Sequence, residues 1–200
     1  MSVIARRSML AAAGVAAAAT LATALTLRKP APPRVPTLQP DIAPANVRLQ
    51  SLAALQPLDP PMPVGDVRFT DATGATHSLR EYAGKGVVLN LWATWCAPCV
   101  AEMPSLAHLA REAAAQGLVV LPVSTDHGGA DVVQRFYRTH GIADLPVMVD
   151  PSGAITETLH ASGLPTTLLI DANGRARAKL EGGADWAAPD ALATIRRLIG

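Results

Sequence analysis

Residues 87–104 read Val-Val-Leu-Asn-Leu-Trp-Ala-Thr-Trp-Cys-Ala-Pro-Cys-Val-Ala-Glu-Met-Pro. The apolar run Val87–Trp92 has the length of a buried strand. The pattern then predicts a helix over Ala97–Ala115, and a proline in its first turn suits a helix start because its missing N–H has no partner there in any case. Cys96 and Cys99 therefore lie where a strand passes into a helix.

The chemistry expected of this junction is that of a reactive thiol pair. Two cysteines are too few for a disulfide scaffold or a four-cysteine zinc site. Unpaired N–H groups and the helix dipole stabilise a thiolate at a helix N-terminus, so Cys96 is the candidate nucleophile. Cys99 follows one turn later on the same helix face and is the candidate resolving cysteine.

Two further side chains near the cysteines are candidates for the site. Glu102 lies three residues after Cys99, which places it beside that cysteine on the helix. A buried carboxylate there would have a raised pKa and could accept or return the Cys99 proton, whereas an exposed helix glutamate would do neither. Trp95 is expected at the surface beside the thiol, and Trp92 in the core.

The rest of the chain alternates strands with helices. A turn at Asp71–Gly74 predicts a small hairpin around Val67–Thr76, and Asn173-Gly174 predicts a second hairpin at one edge of the sheet. The other expected strands are Leu118–Ser124, Pro146–Asp150, Thr166–Asp171 and Arg175–Leu180, and the other expected helices are Ala130–Thr139, Ala154–His160 and Ala187–Ile199. This order predicts an α/β fold with a mixed central sheet flanked by helices.

The charge distribution separates an N-terminal segment from a globular part. Residues 1–40 carry five basic and no acidic residues, while residues 41–200 carry 12 basic and 16 acidic ones. The globular part lacks the basic excess of a nucleic-acid-binding domain, so no nucleic-acid partner is expected. The size of this part and the 50% hydrophobic content of the whole chain predict an independently folded domain, expected to be a monomer.

The first 61 residues are predicted to be an export segment followed by a linker. Arg6 and Arg7 precede an uncharged run over 9–27, so residues 1–29 are expected to be a cleaved signal peptide, a retained signal anchor or a twin-arginine export signal. Ten of the 17 prolines lie between Pro30 and Pro63, which predicts an extended linker over 30–61 and a domain over 62–200. A short helix around residues 47–55 is expected to pack on the domain.

Three motifs together resemble the thioredoxin superfamily, and within it the TlpA/ResA-type thiol–disulfide oxidoreductases. They are Asn90–Pro104 with its Glu-Met-Pro after the cysteine pair, Gly163-Leu-Pro-Thr-Thr167, and Glu181-Gly-Gly-Ala-Asp-Trp186, the last of which resembles the TlpA members most. The resemblance covers residues 62–200 and implies a thioredoxin fold with an N-terminal hairpin extension and a central insertion around Ala143–His160.

The resemblance also implies roles for individual residues. Cys96 and Cys99 match the nucleophilic and resolving cysteines, and Pro165 matches the cis-proline that faces them. The backbone of Leu164 would then pair with an extended client chain. The expected client-binding residues are Trp95, Ala97, Pro98 and Leu164. Asn90 stands where thioredoxins have a buried aspartate, which makes Glu102 the natural substitute.

As a further implication, the protein would reduce disulfides on the periplasmic side of the bacterial inner membrane, held there by residues 9–27. Its partners would be a copper chaperone, a cytochrome oxidase subunit or apocytochrome c, with a membrane thiol carrier as electron donor. No cofactor is expected beyond the redox-active Cys96–Cys99 disulfide.

Two other functions remain open from the residues alone. A copper(I) chaperone would bind metal through Cys96 and Cys99 with His127 or His160 as third ligand, because copper(I) prefers thiolates. A redoxin-type peroxidase would attack peroxide through a lone cysteine, which fits a cysteine pair poorly.

Overall fold

The computed structural model describes residues 46–200. They form one eight-stranded mixed sheet in the order β1-β8-β7-β4-β5-β6-β2-β3. The strands are β1 (Gln56–Pro63), β2 (Arg68–Asp71), β3 (Thr76–Ser78), β4 (Gly86–Trp92), β5 (Leu118–Ser124), β6 (Met148–Val149), β7 (Thr166–Ile170) and β8 (Arg175–Glu181). The helices are α1 (Ala97–Ala114), α2 (Gly129–His140), α3 (Ala154–Thr158) and α4 (Ala191–Ile199).

Strand β4 occupies the centre of the sheet and has both faces covered. It runs parallel to β5 and antiparallel to β7. Val87, Leu89 and Leu91 pack in a cluster that includes Ile155 of α3, while Val88 and Trp92 pack in a second cluster with side chains of α1, α2 and α4. Because side chains alternate along a strand, Asn90 belongs to the face that carries Val88 and Trp92. This alternation places a polar amide under α1.

One edge strand of the sheet lies in a segment that the sequence predicted to be a linker. The predicted linker over 30–61 and the predicted domain start at residue 62 are wrong in this part, because Gln56–Pro63 forms β1 and pairs antiparallel with β8. The β7–β8 hairpin is therefore not at the edge of the sheet. Four prolines misled the prediction, and they fit here because an edge strand needs no outward N–H donors.

The other predicted elements are present with small changes at their ends. The hairpin predicted around Val67–Thr76 is β2–β3, and it extends the sheet beyond β6. The segment predicted as a helix around residues 47–55 is a single 3-10 turn, Leu52–Ala54, with Leu52 and Leu55 buried in the core. Residues 1–45, with the predicted signal segment, lie outside the described residues. Within 46–200, no helix has the length and apolarity needed to cross a bilayer.

Candidate functional site: a cysteine pair at a helix start

The cysteine pair lies at the junction between β4 and α1. Cys96 and Cys99 form a disulfide, with their Cα atoms 5.2 Å apart. Cys96 is the N-cap of α1, and its Sγ accepts the N–H of Cys99 at 3.3 Å. The sulfur of Cys96 therefore occupies the position where a helix start stabilises negative charge, as the sequence predicted.

The two sulfurs differ in access to solvent. Cys99 is fully shielded, while Cys96 keeps 7% of its surface exposed. An incoming thiol or disulfide can reach Cys96 alone without moving the helix. This difference fits the predicted assignment of Cys96 as nucleophile and Cys99 as resolving cysteine.

Trp95 stands out beside the disulfide as a large apolar side chain that is 71% exposed. It lines a groove of about 260 Å³ together with His127 and residues 161–164. Trp92, by contrast, is buried and stacks on Tyr137 of α2 at a ring distance of 5.8 Å. The structure thus places the two tryptophans as the sequence predicted, one at the surface and one in the core.

The remaining predicted client-binding residues lie around the same end of the sheet. Thr166 of β7 is opposite Leu91 of β4, so the preceding Leu164–Pro165 peptide lies near the β4–α1 junction. That peptide bond is cis. Pro165 is buried, Leu164 is half-buried and lines the groove, Ala97 is exposed and Pro98 is half-buried.

Glu102 is buried completely on α1, one turn after Cys99. Its carboxylate accepts three hydrogen bonds: from Asn90 Nδ2 at 2.8 Å, from the backbone N–H of Ala184 at 3.0 Å and from Trp186 Nε1 at 3.0 Å. Asn90 Nδ2 also donates to Thr167 Oγ1 at 2.9 Å. The alternative of an exposed helix glutamate is therefore wrong.

Burial controls the proton affinity of this carboxyl group. Loss of hydration raises the pKa of Glu102 from 4.5 to about 7, and the hydrogen bonds from Ala184, Trp186 and Asn90 oppose that rise. A carboxyl group with a pKa near 7 can both accept and release a proton at neutral pH.

Several site residues carried no clear functional signal in the sequence. Trp186 belonged to a motif that supported the resemblance, but nothing indicated its indole donor to Glu102. Asp126, buried after β5, accepts the N–H and the hydroxyl of Thr94 at 2.9 and 2.8 Å. It thereby fixes the turn that carries Trp95 and Cys96. The only feature of the sequence that could have indicated this role is the position of Asp126, a polar residue just beyond the buried strand β5.

The histidines considered as copper ligands do not gather around the thiols. No cluster of three or more His, Cys, Asp or Glu side chains suited to a metal occurs between residues 46 and 200. His127 instead contacts the carbonyl oxygen of Pro151 through Nδ1 at 2.9 Å, and His160 is exposed.

A cysteine pair capping the helix that follows a central strand, in a mixed sheet with flanking helices, defines a protein of the thioredoxin superfamily. Comparison with known proteins agrees. Residues 61–179 match the model of the AhpC/TSA family, and the chain belongs to that family.

The chain is similar to proteins named as a thiol-disulfide oxidoreductase and as a thioredoxin. The chain is 36% identical over 117 residues to the thiol-disulfide oxidoreductase ResA of Geobacillus kaustophilus, covering 58% of this chain and 66% of that relative. The match thus spans slightly less than two thirds of the length of that relative. The structure of the exposed lipoprotein thioredoxin Etrx1 from Streptococcus pneumoniae is 33% identical, with a TM-score of 0.58, and covers 67% of this chain and 100% of that one.

A third similarity concerns the fold alone. A thioredoxin family thiol:disulfide interchange protein from Chlorobium tepidum is 24% identical, with a TM-score of 0.57, over 70% of this chain and 97% of that one. Together these findings confirm the thioredoxin fold and the ResA/TlpA-type resemblance.

Proposed function

We propose that the protein is an exported thiol–disulfide oxidoreductase that reduces disulfides in client proteins through Cys96. The observation that carries this proposal is the disulfide at the start of α1, with one sulfur at the surface and the other fully buried. The names of the similar proteins support the same activity. The redox group is the cysteine pair itself.

The reaction starts from the reduced pair. The Cys96 thiolate attacks one sulfur of the client disulfide, a mixed disulfide forms, and the first client sulfur leaves as a thiolate. The helix start and the N–H of Cys99 stabilise the attacking thiolate. Cys99 then attacks Cys96, the second client thiolate leaves, and the Cys96–Cys99 disulfide forms. Two electrons pass to the client in total.

Glu102 serves the second half of this reaction. Cys99 must lose its proton before it attacks, although it is shielded from water. The carboxylate of Glu102, one turn along α1, accepts that proton, and its pKa of about 7 lets it do so at neutral pH. As long as Glu102 is ionised, its negative charge favours the protonated Cys99 thiol, and this effect ends when Glu102 accepts the proton.

The client lies across the surface formed by Trp95, Ala97, Pro98 and Leu164. Trp95 supplies exposed apolar area, and the backbone of Leu164 before Pro165 pairs with an extended client segment. The groove beside Trp95 gives the client a continuous path away from the disulfide.

The proposal extends to the cellular setting. The basic and then uncharged N-terminal segment supports a location on the periplasmic side of the inner membrane, with the domain either anchored or released by cleavage. Clients there would be cysteine-containing proteins of cytochrome assembly: a copper chaperone, a cytochrome oxidase subunit or apocytochrome c. A membrane thiol carrier would return electrons to the pair.

The test is a redox titration of the full chain in graded thiol buffers, with free thiols counted by alkylation gel shift. A reduction potential near that of thioredoxin, about −270 mV, supports the reductant. A potential near −120 mV identifies an oxidant that introduces disulfides and overturns the proposed direction. A pair that does not cycle between disulfide and dithiol, or that consumes peroxide faster than it reduces a protein disulfide, overturns the function itself.

A further inference from the structure

The loop that covers Glu102 is held from its outer side by a segment at the start of the described chain. Gln50 forms an isolated parallel β-bridge with Ala184. The N–H of Gln50 donates to the Gly183 carbonyl at 2.8 Å, and the Gln50 carbonyl accepts the N–H of Asp185 at 3.1 Å. The side-chain amide of Gln50 also donates to the Glu181 carbonyl at 2.8 Å.

This bridge determines where the N–H of Ala184 points. In extended backbone, successive peptide groups face opposite sides, so bonds from Gln50 to residues 183 and 185 turn the N–H of Ala184 inward. There it donates to Glu102 Oε2 at 3.0 Å. The backbone of Gln50 and the carboxylate of Glu102 thus hold Ala184 from its two sides.

Packing fixes the segment against α1. A Cβ atom placed on Gly183 would lie 2.8 Å from the Pro98 carbonyl oxygen and 3.0 Å from Leu49 Cδ2. Gly183 is therefore enclosed between the first turn of α1 and the Leu49 side chain. Just beyond, Leu52 and Leu55 are buried in the core, which anchors the C-terminal end of the segment.

We propose that residues 49–51 are a positioning element for the redox site, in which Gln50 holds the Ala184 N–H on the Glu102 carboxylate. The inference rests on the proposed function only in giving Glu102 its role, and it adds residues outside the helix and the cysteine pair. It predicts that a change at Gln50, on the far side of the loop, alters how Glu102 titrates.

The main variant is Gln50→Pro, which removes the N–H that bonds Gly183. Arg48→Pro is the matched control, because Arg48 is exposed and its N–H has no partner among residues 46–200. Both are made in the full chain and kept oxidised, since a disulfide removes the Cys99 thiol from the titration. The other groups that bond Glu102, from Asn90, Ala184 and Trp186, are neutral.

Carbon NMR of isotope-labelled glutamate reads the Glu102 carboxyl directly, with Glu102→Gln identifying its signal. Loss of one hydrogen bond to the charged form is expected to move the Glu102 midpoint upward by about 0.5–1 pH unit in Gln50→Pro. Arg48→Pro should leave the midpoint unchanged. Equal midpoints in wild type, Gln50→Pro and Arg48→Pro would overturn the proposal.

The exchange reaction supplies a second readout. Gln50→Pro should shift the pH profile of client reduction in the wild type but not in a Glu102→Gln background, because the effect passes through the carboxylate. An equal change in both backgrounds would overturn the proposal in favour of a general loss of structure. If Gln50→Pro does not fold, an ester in place of the peptide bond between Leu49 and Gln50, introduced by chemical ligation, removes the same N–H and is judged by the same midpoint. A wild type without exchange activity would refute the proposed function. The NMR titration would then decide alone whether residues 49–51 are a positioning element for Glu102.

Discussion

The side-chain amide of Asn90 donates a 2.8 Å hydrogen bond to the carboxylate of Glu102, and both residues are completely buried. Asn90 comes from the central strand and Glu102 from α1, so the bond joins the two elements that present the cysteine pair. With Nδ2 so used, Asn90 Oδ1 has no hydrogen-bond partner among residues 46–200. The hydrogen bond from Asn90 therefore stabilises the ionised form of Glu102, whereas burial favours the protonated form.

Glu102→Gln should remove a pH dependence of stability. The carboxyl group of Glu102 has a pKa of about 7 in the folded protein, against 4.5 in the unfolded chain. Between these values the folded state holds a proton that the unfolded state has lost, so the free energy of unfolding falls as pH rises. The total is about 3 kcal/mol, at about 1.4 kcal/mol per pH unit.

Chemical denaturation of the oxidised wild type and Glu102→Gln at pH 5 and pH 8 measures this effect. The wild type should lose about 2.5 kcal/mol more than the variant between pH 5 and pH 8, because part of the total is already lost below pH 5. The variant should fold, because a rotated Asn90 amide offers its free Oδ1 to the new glutamine amide. Parallel losses in the two proteins would show that Glu102 is ionised in the folded state throughout.

Substitution of each cysteine by serine should block the reaction at a different step. Cys96→Ser removes the accessible sulfur, so no mixed disulfide with a client should form. Cys99→Ser removes only the buried resolving sulfur, so the mixed disulfide should form and accumulate. Non-reducing gels after incubation with a disulfide-bonded client separate the two outcomes. Accumulation in Cys96→Ser instead would reverse the assigned roles.

Much of the fold could be predicted because it depends on local patterns. The run Val87–Trp92 is buried on both faces, and the Asn173-Gly174 turn joins β7 to β8 as expected. Strand β1 was missed because its stability comes from pairing with β8, far away in the sequence, while its prolines locally favour a linker.

The same division applies to the site. Cys96, Cys99 and Glu102 share one helix, so their spacing predicts their proximity. Trp186 bonds Glu102 from the loop after β8, and Gln50, which precedes β1, pairs with Ala184 of the same loop. Local sequence patterns do not predict where that loop lies. Asn90 is an intermediate case, since strand alternation places it under α1 once the position of that helix is known.

Trp95→Ala should separate client recognition from stability. Trp95 is 71% exposed, so the free energy of unfolding should change by less than about 0.5 kcal/mol. Loss of an exposed aromatic anchor should slow reduction of a protein client about tenfold. Reduction of oxidised glutathione, which needs no extended contact, should be unaffected. Trp95→Phe is the control and should keep most of the activity, whereas equal slowing of both substrates would place Trp95 in the chemistry rather than in binding.

Gly183→Ala should lower the free energy of unfolding, because the loop that carries Gly183 packs tightly on the first turn of α1. The added methyl group would meet the Pro98 carbonyl at 2.8 Å, and a backbone atom in the first turn of α1 cannot yield cheaply. We expect a loss of about 1–3 kcal/mol in the free energy of unfolding. Gly163→Ala is the matched control, because a Cβ there has nothing within 4 Å and should cost little. Similar stabilities in the two variants would mean that the loop moves freely away from α1.

The hairpin β2–β3 should carry a histidine-dependent stability that is greatest in mild acid. His77 contacts Glu81 through Nδ1 at 2.9 Å and Asp71 through Nε2 at 3.0 Å, and both ring nitrogens donate to these carboxylates when the ring is protonated. These bonds raise the pKa of His77 above 6.5 and lower the pKa of Glu81. The pKa of Asp71 is lowered first by the hydrogen bond from the Thr73 hydroxyl and then by His77. The contribution is therefore full between about pH 5 and 6.5, is lost as pH rises through the raised value, and also weakens in strong acid. Thermal melts of His77→Gln should differ most from wild type near pH 6 and least near pH 9, with His160→Gln as the control for loss of an exposed histidine. A difference that grows toward pH 9 would show that the ring is neutral in the folded hairpin.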